Sequence, residues 1–487
     1  MPADCRLRPC PAVGRPRLPR WGWVAAPAIG LVALAASCGA VGTEVANAGA
    51  ASAQALRATT VRLLDAGPRV VGEPGHAAGR KYVGGRLLLA GLKPILTDTF
   101  TVSVAAPDAA AGHTGSARRV ACGTVVAFCH GIPLADRWSD MKSEAEHFAF
   151  DRPPRPDMVA ALQQAARDEG VDRLTPFDVF KRPSPLFPKA VVRCLVPRLV
   201  RQAAGAGADD PQRRAAVMAA MLRDLALGHE AVLLAAPLDM RRTSAGPGPP
   251  GADESASLAV LCAVADDVAG RIAAPRPRTL IVAALDGHFR GAAGATSLGR
   301  LLGAAGRETR RPAAGAPRAT GGLPASASDT AEDAQLAALL GPSEAAARAP
   351  AAAQRLEARP EDPQTVADAE DLLVRLLRLE PYQVRTVVVL DLSSTGRRVE
   401  ETVVTAGSGG GEDPTSVAAA ALAAPGRPVI VLRTMDADRS RWGTAADVPA
   451  RTDFDALAAQ ARAVADRVTR RLQGAQGAPS GSASPRG

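Results

Sequence analysis

The sequence repeatedly sets an acid just past a run of apolar residues. Asp239 follows "EAVLLAAPL", Asp286 follows "RTLIVAAL" and Asp391 follows "RTVVVL". Between the first two runs lies "PGADESASLAVLCAVADDVAG", Pro250 to Gly270, where Asp253 and Glu254 stand side by side at the mouth of an apolar helix. His288 comes two places after Asp286. Carboxylates gathered with an imidazole can hold a divalent metal ion, and one of them can serve as general base to a bound water. His288, Asp239, Glu254 and Asp391 together would make one oxygen-rich mononuclear site. Each residue also has an ordinary use, and taken alone that use is favoured. Acids at a helix N-terminus cap amides and complement the dipole, strand-end Asp supports turns, and His288 reads as an exposed turn residue.

What would bring these residues together is an alternation of buried strands and helices. "EAVLLAAPLD", "RTLIVAALDG", "RTVVVLDLSS" and "PVIVLRTMD" are short, continuous apolar runs, the signature of parallel strands buried on both faces. Helical stretches separate them: "ASLAVLCAVADDVAG", "AGATSLGRLLGAAG", "PTSVAAAALAAP" and the final "FDALAAQARAVADRVTRRL". This predicts a three-layer α/β/α sandwich with a mostly parallel, mixed sheet, whose ligand site lies at the C-terminal strand edge. Upstream, a helix over 79–92 and an alternating strand over 98–104 are expected. Residues 107–230 read as an insert or lid carrying one strand and one clear helix. Residues 306–362, rich in Ala, Pro and Gly, read as a long low-complexity insertion, and 476–487 as a disordered tail.

Composition narrows the function classes. The 487 residues are 47% hydrophobic but only 3% aromatic, so the core must be built from Val, Leu and Ala. Part of the formal charge of +9 sits in residues 1–38. Taking their five Arg and one Asp from the totals of 58 and 49 leaves 53 basic against 48 acidic residues. The basic residues are scattered without aromatic partners, so nucleic-acid binding is not expected. Residues 1–38 read as a secretory signal or anchor: an Arg-rich opening, then the uncharged "WGWVAAPAIGLVALAASCGAVGT". Lipidation at Cys38, cleavage after Ala53 and an uncleaved membrane anchor are all open, with 39–55 as a linker to the domain over 56–475. Location in the cell envelope, exported and either anchored or periplasmic, is expected. No C-x-x-C occurs among the seven Cys, and Cys122, Cys129, Cys194 and Cys262 read as small apolar residues. "GPGPPG" at 246–251 has the glycine spacing of a dinucleotide loop, but its prolines lack the amides that phosphate needs. No G-x-S-x-G elbow supports a serine hydrolase.

Taken in order, six segments resemble the di-zinc aminopeptidases of the bacterial leucyl aminopeptidase type, peptidase family M twenty-eight. They are "RVVGEPG" from Arg69, "AAPLDM", "PGADESASL", "AALDGHFRGAAGA", "LDLSSTG" and "GTAADV". The resemblance implies two zinc ions bound by a first-strand His, a bridging Asp, a Glu, a further Asp and a closing His. A second Glu would be general base. Carried over residue by residue, the first His falls on Pro237 and the bridging Asp on Glu254, with Asp253 one place earlier. The general base falls on His288, the ligand Glu on Phe289, the next Asp on Asp391 and the last His on Gly443. Asp239 matches the Asp that orients the first His, and Asp447 stands in the closing motif.

Pro, Phe and Gly side chains cannot ligate a metal, and no His follows His288. A paired-zinc centre therefore cannot be assembled from these positions. The expectation is an exported zinc-peptidase-like domain that has lost peptidase activity, needs no cofactor, and binds or scaffolds a peptide or protein ligand. The alternative is a divergent hydrolase using a single zinc at His288, Glu254 and Asp391.

Overall fold

The computed structural model describes residues 52–104, 118–133, 155–168, 186–241, 251–270, 276–304, 327–377, 381–407, 413–440, 442, 444 and 446–474. Seven strands form one sheet: β1 (Ile95–Val104), β2 (Arg118–Cys129), β3 (Glu230–Pro237), β4 (Thr279–Leu285), β5 (Gln383–Asp391), β6 (Val399–Val404) and β7 (Val429–Thr434), in the order β1-β2-β4-β3-β5-β7-β6. The four central strands are parallel, with Leu233 opposite both Ile281 and Val387, and Val388 opposite Ile430. The flanking pairs are antiparallel. The α/β sandwich read from the apolar runs is therefore present. β6 is not expected from sequence, because "VEETVV" is a half-exposed edge strand without a buried run.

Side chains alternate along each central strand, so one run feeds two cores. Leu233, Ile281, Val387 and Val431 pack on one face, beneath α4 (Leu186–Ala204), α5 (Pro211–Gly228), α7 (Ala293–Ala304), α8 (Ala327–Leu339), α9 (Glu344–Ala358), α10 (Pro363–Leu377) and α11 (Pro414–Leu422). Leu234, Val282, Leu390 and Leu432 pack on the other, beneath α1 (Ala53–Asp65), α2 (Pro74–Leu89), α6 (Ala256–Gly270) and α12 (Phe454–Leu472). α3 (Pro156–Asp168) joins α4 in a small satellite core around Met158 and Ala165.

Two regions differ from the sequence reading. Within 107–230, β2 is an integral strand, and α4 and α5 build one helical layer, so this stretch is not simply a lid. Within 306–362, α8 and α9 bury Leu336, Leu339, Ala349, Ala353 and Leu356 in the same core. Alanine packs helices closely while adding little to a hydrophobic pattern, so composition there resembles low complexity. α8 also protects the sheet edge: Glu332 accepts from the Thr97 amide at 3.1 Å and Asp333 from the Thr99 amide at 2.9 Å. Such N–H groups on an edge strand would otherwise invite pairing with another chain. Residues 1–51 with Cys38, residues 305–326, Gly443 and residues 475–487 lie outside the described residues. Among those described, no helix is long and apolar enough to cross a membrane.

Candidate functional site

The C-terminal ends of β3, β4 and β5 release Asp239, Asp286 and Asp391 at one edge, with the turn 251–255 above them. Buried Arg69 fixes that turn. Its Nε donates to the Leu238 carbonyl at 2.9 Å, and Nη2 donates to Ser255 Oγ at 2.9 Å. A Cβ at Gly79 would stand 2.5 Å from Arg69 Cδ, so glycine is needed where the guanidinium stem passes α2. Burial pulls the Arg69 pKa down to about 10, while Glu254, Asp239 and Asp447 act in the opposite direction. These acids are the counter-charges that let an arginine sit in the core.

Asp253 does not cap α6 with its side chain. Its Oδ1 accepts from the Ser394 amide at 2.5 Å and Ser394 Oγ at 2.7 Å, and its Oδ2 accepts from Ser393 Oγ at 2.6 Å and Trp442 Nε1 at 2.5 Å. Its own amide donates to Asp447 Oδ1 at 2.6 Å. Asp253 thus ties the loop after β5 and the indole of Trp442 to the turn, and four donors occupy its two oxygens. Capping, the ordinary expectation, is replaced by loop fastening.

Glu254 is the opposite case. Its side chain is 1% exposed, and neither carboxylate oxygen has a hydrogen-bond partner. Arg241 Nε approaches Oε1 only to 3.9 Å. Burial first, then the neighbouring charge of Asp447, push the Glu254 pKa up to about 7. A Cβ on Gly251 would clash with the Asp447 carboxylate and crowd Glu254, so glycine here lets the two acids approach. The Arg241 guanidinium lies over the rings of both Phe289 and Trp442, 5.2 Å from each centroid. Arg439 lies over the same indole at 5.1 Å.

Asp391 is already charge-paired with two arginines. Arg433 Nε donates to Oδ2 at 2.6 Å and Arg439 Nη2 to Oδ1 at 3.1 Å. Arg433 reaches on to Asp413 at 2.7 Å. His288 is buried rather than exposed, because its turn folds back over Asp239. Asp239 Oδ1 accepts from the His288 amide at 2.7 Å and Oδ2 from the Phe289 amide at 3.2 Å. Asp239 therefore orients a backbone turn, not an imidazole. Burial, with the neighbouring charge of Asp286, raises its pKa to about 7. Burial lowers the His288 pKa to about 4, so the ring is neutral, with Nε2 3.4 Å from Thr415 Oγ1 and Nδ1 without a partner.

The expected ligand set Asp391, Glu254, Asp253 and His288 is not assembled. Among the described residues, the one group of three His, Cys, Asp or Glu ligand atoms within 4.8 Å of one another is His76, Cys122 and Asp286, which sequence reading did not combine. Two zinc ions do not fit the cleft: Pro237 and Phe289 offer no donor, Asp253 is saturated, and Asp391 is neutralised by arginines. Sequence reading also missed Arg241, Arg433, Arg439 and Trp442. Their signal was present in "LDMRR" and "LRTMDADRSRW", where basic residues follow the strand ends that carry the acids.

No family model matches the chain, and no curated protein matches it. Among solved structures, it is similar to a Zn-dependent exopeptidase from Parabacteroides distasonis at 11% identity and TM-score 0.36, over 86% of this chain and 98% of that one. A Tannerella forsythia glutaminyl cyclase gives the same four figures. A Fimbriiglobus ruber glutaminyl cyclase aligns at 11% identity and TM-score 0.38, over 86% of this chain and 95% of that one. Likeness at this level assigns no activity.

Proposed function

We propose that this chain is an exported, envelope-associated relative of the zinc aminopeptidases whose cleft binds a peptide or protein ligand without metal-dependent hydrolysis. The observation that carries the reading is the double arginine pairing of Asp391. At the position where the resemblance implies a metal ligand, two guanidinium groups satisfy the carboxylate. Arg241 supplies a third positive charge in front of Glu254, held by Phe289 and Trp442. Cation–aromatic stacking contributes about 0.5–2 kcal/mol per contact, enough to favour this seating of Arg241 over free rotation. Arginine cannot activate water as a Lewis acid does, because it stays protonated and has no open coordination site. His288, with its pKa lowered to about 4, is a weak base. What remains is a strand edge at which an indole, a phenyl ring and donor-rich guanidinium groups come to the surface, a combination suited to recognition.

The test is hydrolysis of aminoacyl chromogenic substrates by the untagged chain with zinc supplied. No turnover above buffer is expected, with or without zinc. Zinc-dependent turnover abolished by Asp391→Ala would overturn the reading.

A further inference from the structure

We infer that His76, Cys122 and Asp286 form a site for one zinc-class transition-metal ion, which uses the strand-end Asp286 but neither Glu254, Asp253 nor Asp391, and is independent of the reading given for those three. The three residues come from three elements: the first turn of α2, the middle of β2 and the end of β4. Their ligand atoms lie within 4.8 Å of one another, and the residues are 4%, 1% and 0% exposed. One imidazole, one thiolate and one carboxylate is a donor set for zinc or cobalt rather than for calcium or magnesium, which prefer oxygen throughout.

The surroundings are built as an outer shell is built. Asp286 Oδ2 accepts from the Gly123 amide at 2.7 Å, and Oδ1 accepts from the Gly287 amide at 2.7 Å. His76 Nε2 lies 2.5 Å from Oδ1. A carboxylate has about four lone-pair sites, so two amide bonds orient the group and leave capacity for an ion. The Asp286 carbonyl is itself held by the Gly294 amide at 2.9 Å, so the turn cannot drift from the strand end. Val71, Val102 and Val104 wall the Cys122 side with apolar surface, which excludes competing water. Three protein ligands of net charge −2 neutralise a divalent ion. Binding releases the thiol proton to solvent, and the His76–Asp286 hydrogen bond gives way to two bonds to the metal.

The experiment uses the full chain, untagged, expressed in zinc- or cobalt-supplemented medium, with metal content read by elemental mass spectrometry. About one metal per chain is expected, falling at least tenfold in Cys122→Ser and in His76→Gln. The cobalt form should show thiolate-to-metal charge-transfer absorption that Cys122→Ser removes. Glu254→Gln should retain the metal. If Cys122→Ser fails to fold, His76→Gln and the charge-transfer band decide alone. A metal-free wild type from supplemented medium, or metal retained by either ligand variant, would overturn the inference. Loss of metal in Glu254→Gln would instead indict the reading of the cleft.

Discussion

Glu254→Gln is expected to stabilise the chain at pH 8 by about 2–3 kcal/mol, although it removes a charged group at the centre of the cleft. The reason is that Glu254 is buried with both oxygens unpartnered, and its pKa stands at about 7 against an ordinary 4.5. For an acid whose folded pKa is raised, stability is fully present below the unfolded value and is lost as pH rises through the folded one. Between about pH 4.5 and 7 the ionisation of Glu254 erodes stability, by up to ~3 kcal/mol for the whole shift. Asp239, raised to about 7, adds to the same alkaline loss. His288 works in the other direction. Its pKa is lowered to about 4, so its contribution is present above about pH 6.5 and is lost as pH falls toward 4. Two raised acids against one lowered histidine give a net fall, so urea unfolding across pH 5 to 8.5 should show stability declining from the acid end and levelling off above about pH 7, with a shallower decline in the variant. If the Glu254→Gln variant were less stable than wild type at pH 8, the carboxylate charge would have an unrecognised partner and this account would be contradicted.

Asp253→Ala should have the opposite and larger consequence. Four donors converge on this carboxylate, from Ser393, from the amide and hydroxyl of Ser394, and from Trp442. Removing the acceptor leaves buried N–H and O–H groups unsatisfied at about 1–3 kcal/mol each before relaxation, so a net loss of about 3–5 kcal/mol is expected. The loop after β5 should loosen with it, and Trp442 fluorescence should shift toward that of a wetter indole. Asp253→Asn should recover only part of the loss, because its amide nitrogen would face donors. A loss under about 1 kcal/mol would mean that the carboxylate does not fasten the loop. The two neighbours thus make a sharp pair: one acid whose removal helps, and one whose removal harms.

That contrast marks how far the sequence could be read. The central strands were legible because β3, β4, β5 and β7 are buried on both faces and must be continuous apolar runs. Their order also placed Asp239, Asp286 and Asp391 at one edge. α9 was not legible, because its buried face is largely alanine, which carries little hydrophobic pattern. In the turn, "GADE" announces two acids, but which one faces the Ser393–Ser394 loop and which one points into the core depends on backbone direction. The arginines were hidden for another reason. Arg433 lies inside β7, and Arg439 and Arg241 lie in loops, so only the tertiary fold brings their long side chains to Asp391 and Glu254. His76 meets Asp286 across a sequence separation of 210 residues, with no motif spacing to signal the encounter. Cys122, in the middle of β2, is brought to the same place only by the pairing of β2 with β4.

Asp391, paired with two arginines, and Glu254, buried behind Arg241, bind no metal. Elemental mass spectrometry on the untagged full chain, wild type alongside Glu254→Gln and Asp391→Asn, all purified with zinc supplied, tests this most directly. The same metal content is expected in all three proteins, and never more than one ion per chain. Two zinc ions in the wild type, or metal lost from either variant, would contradict this.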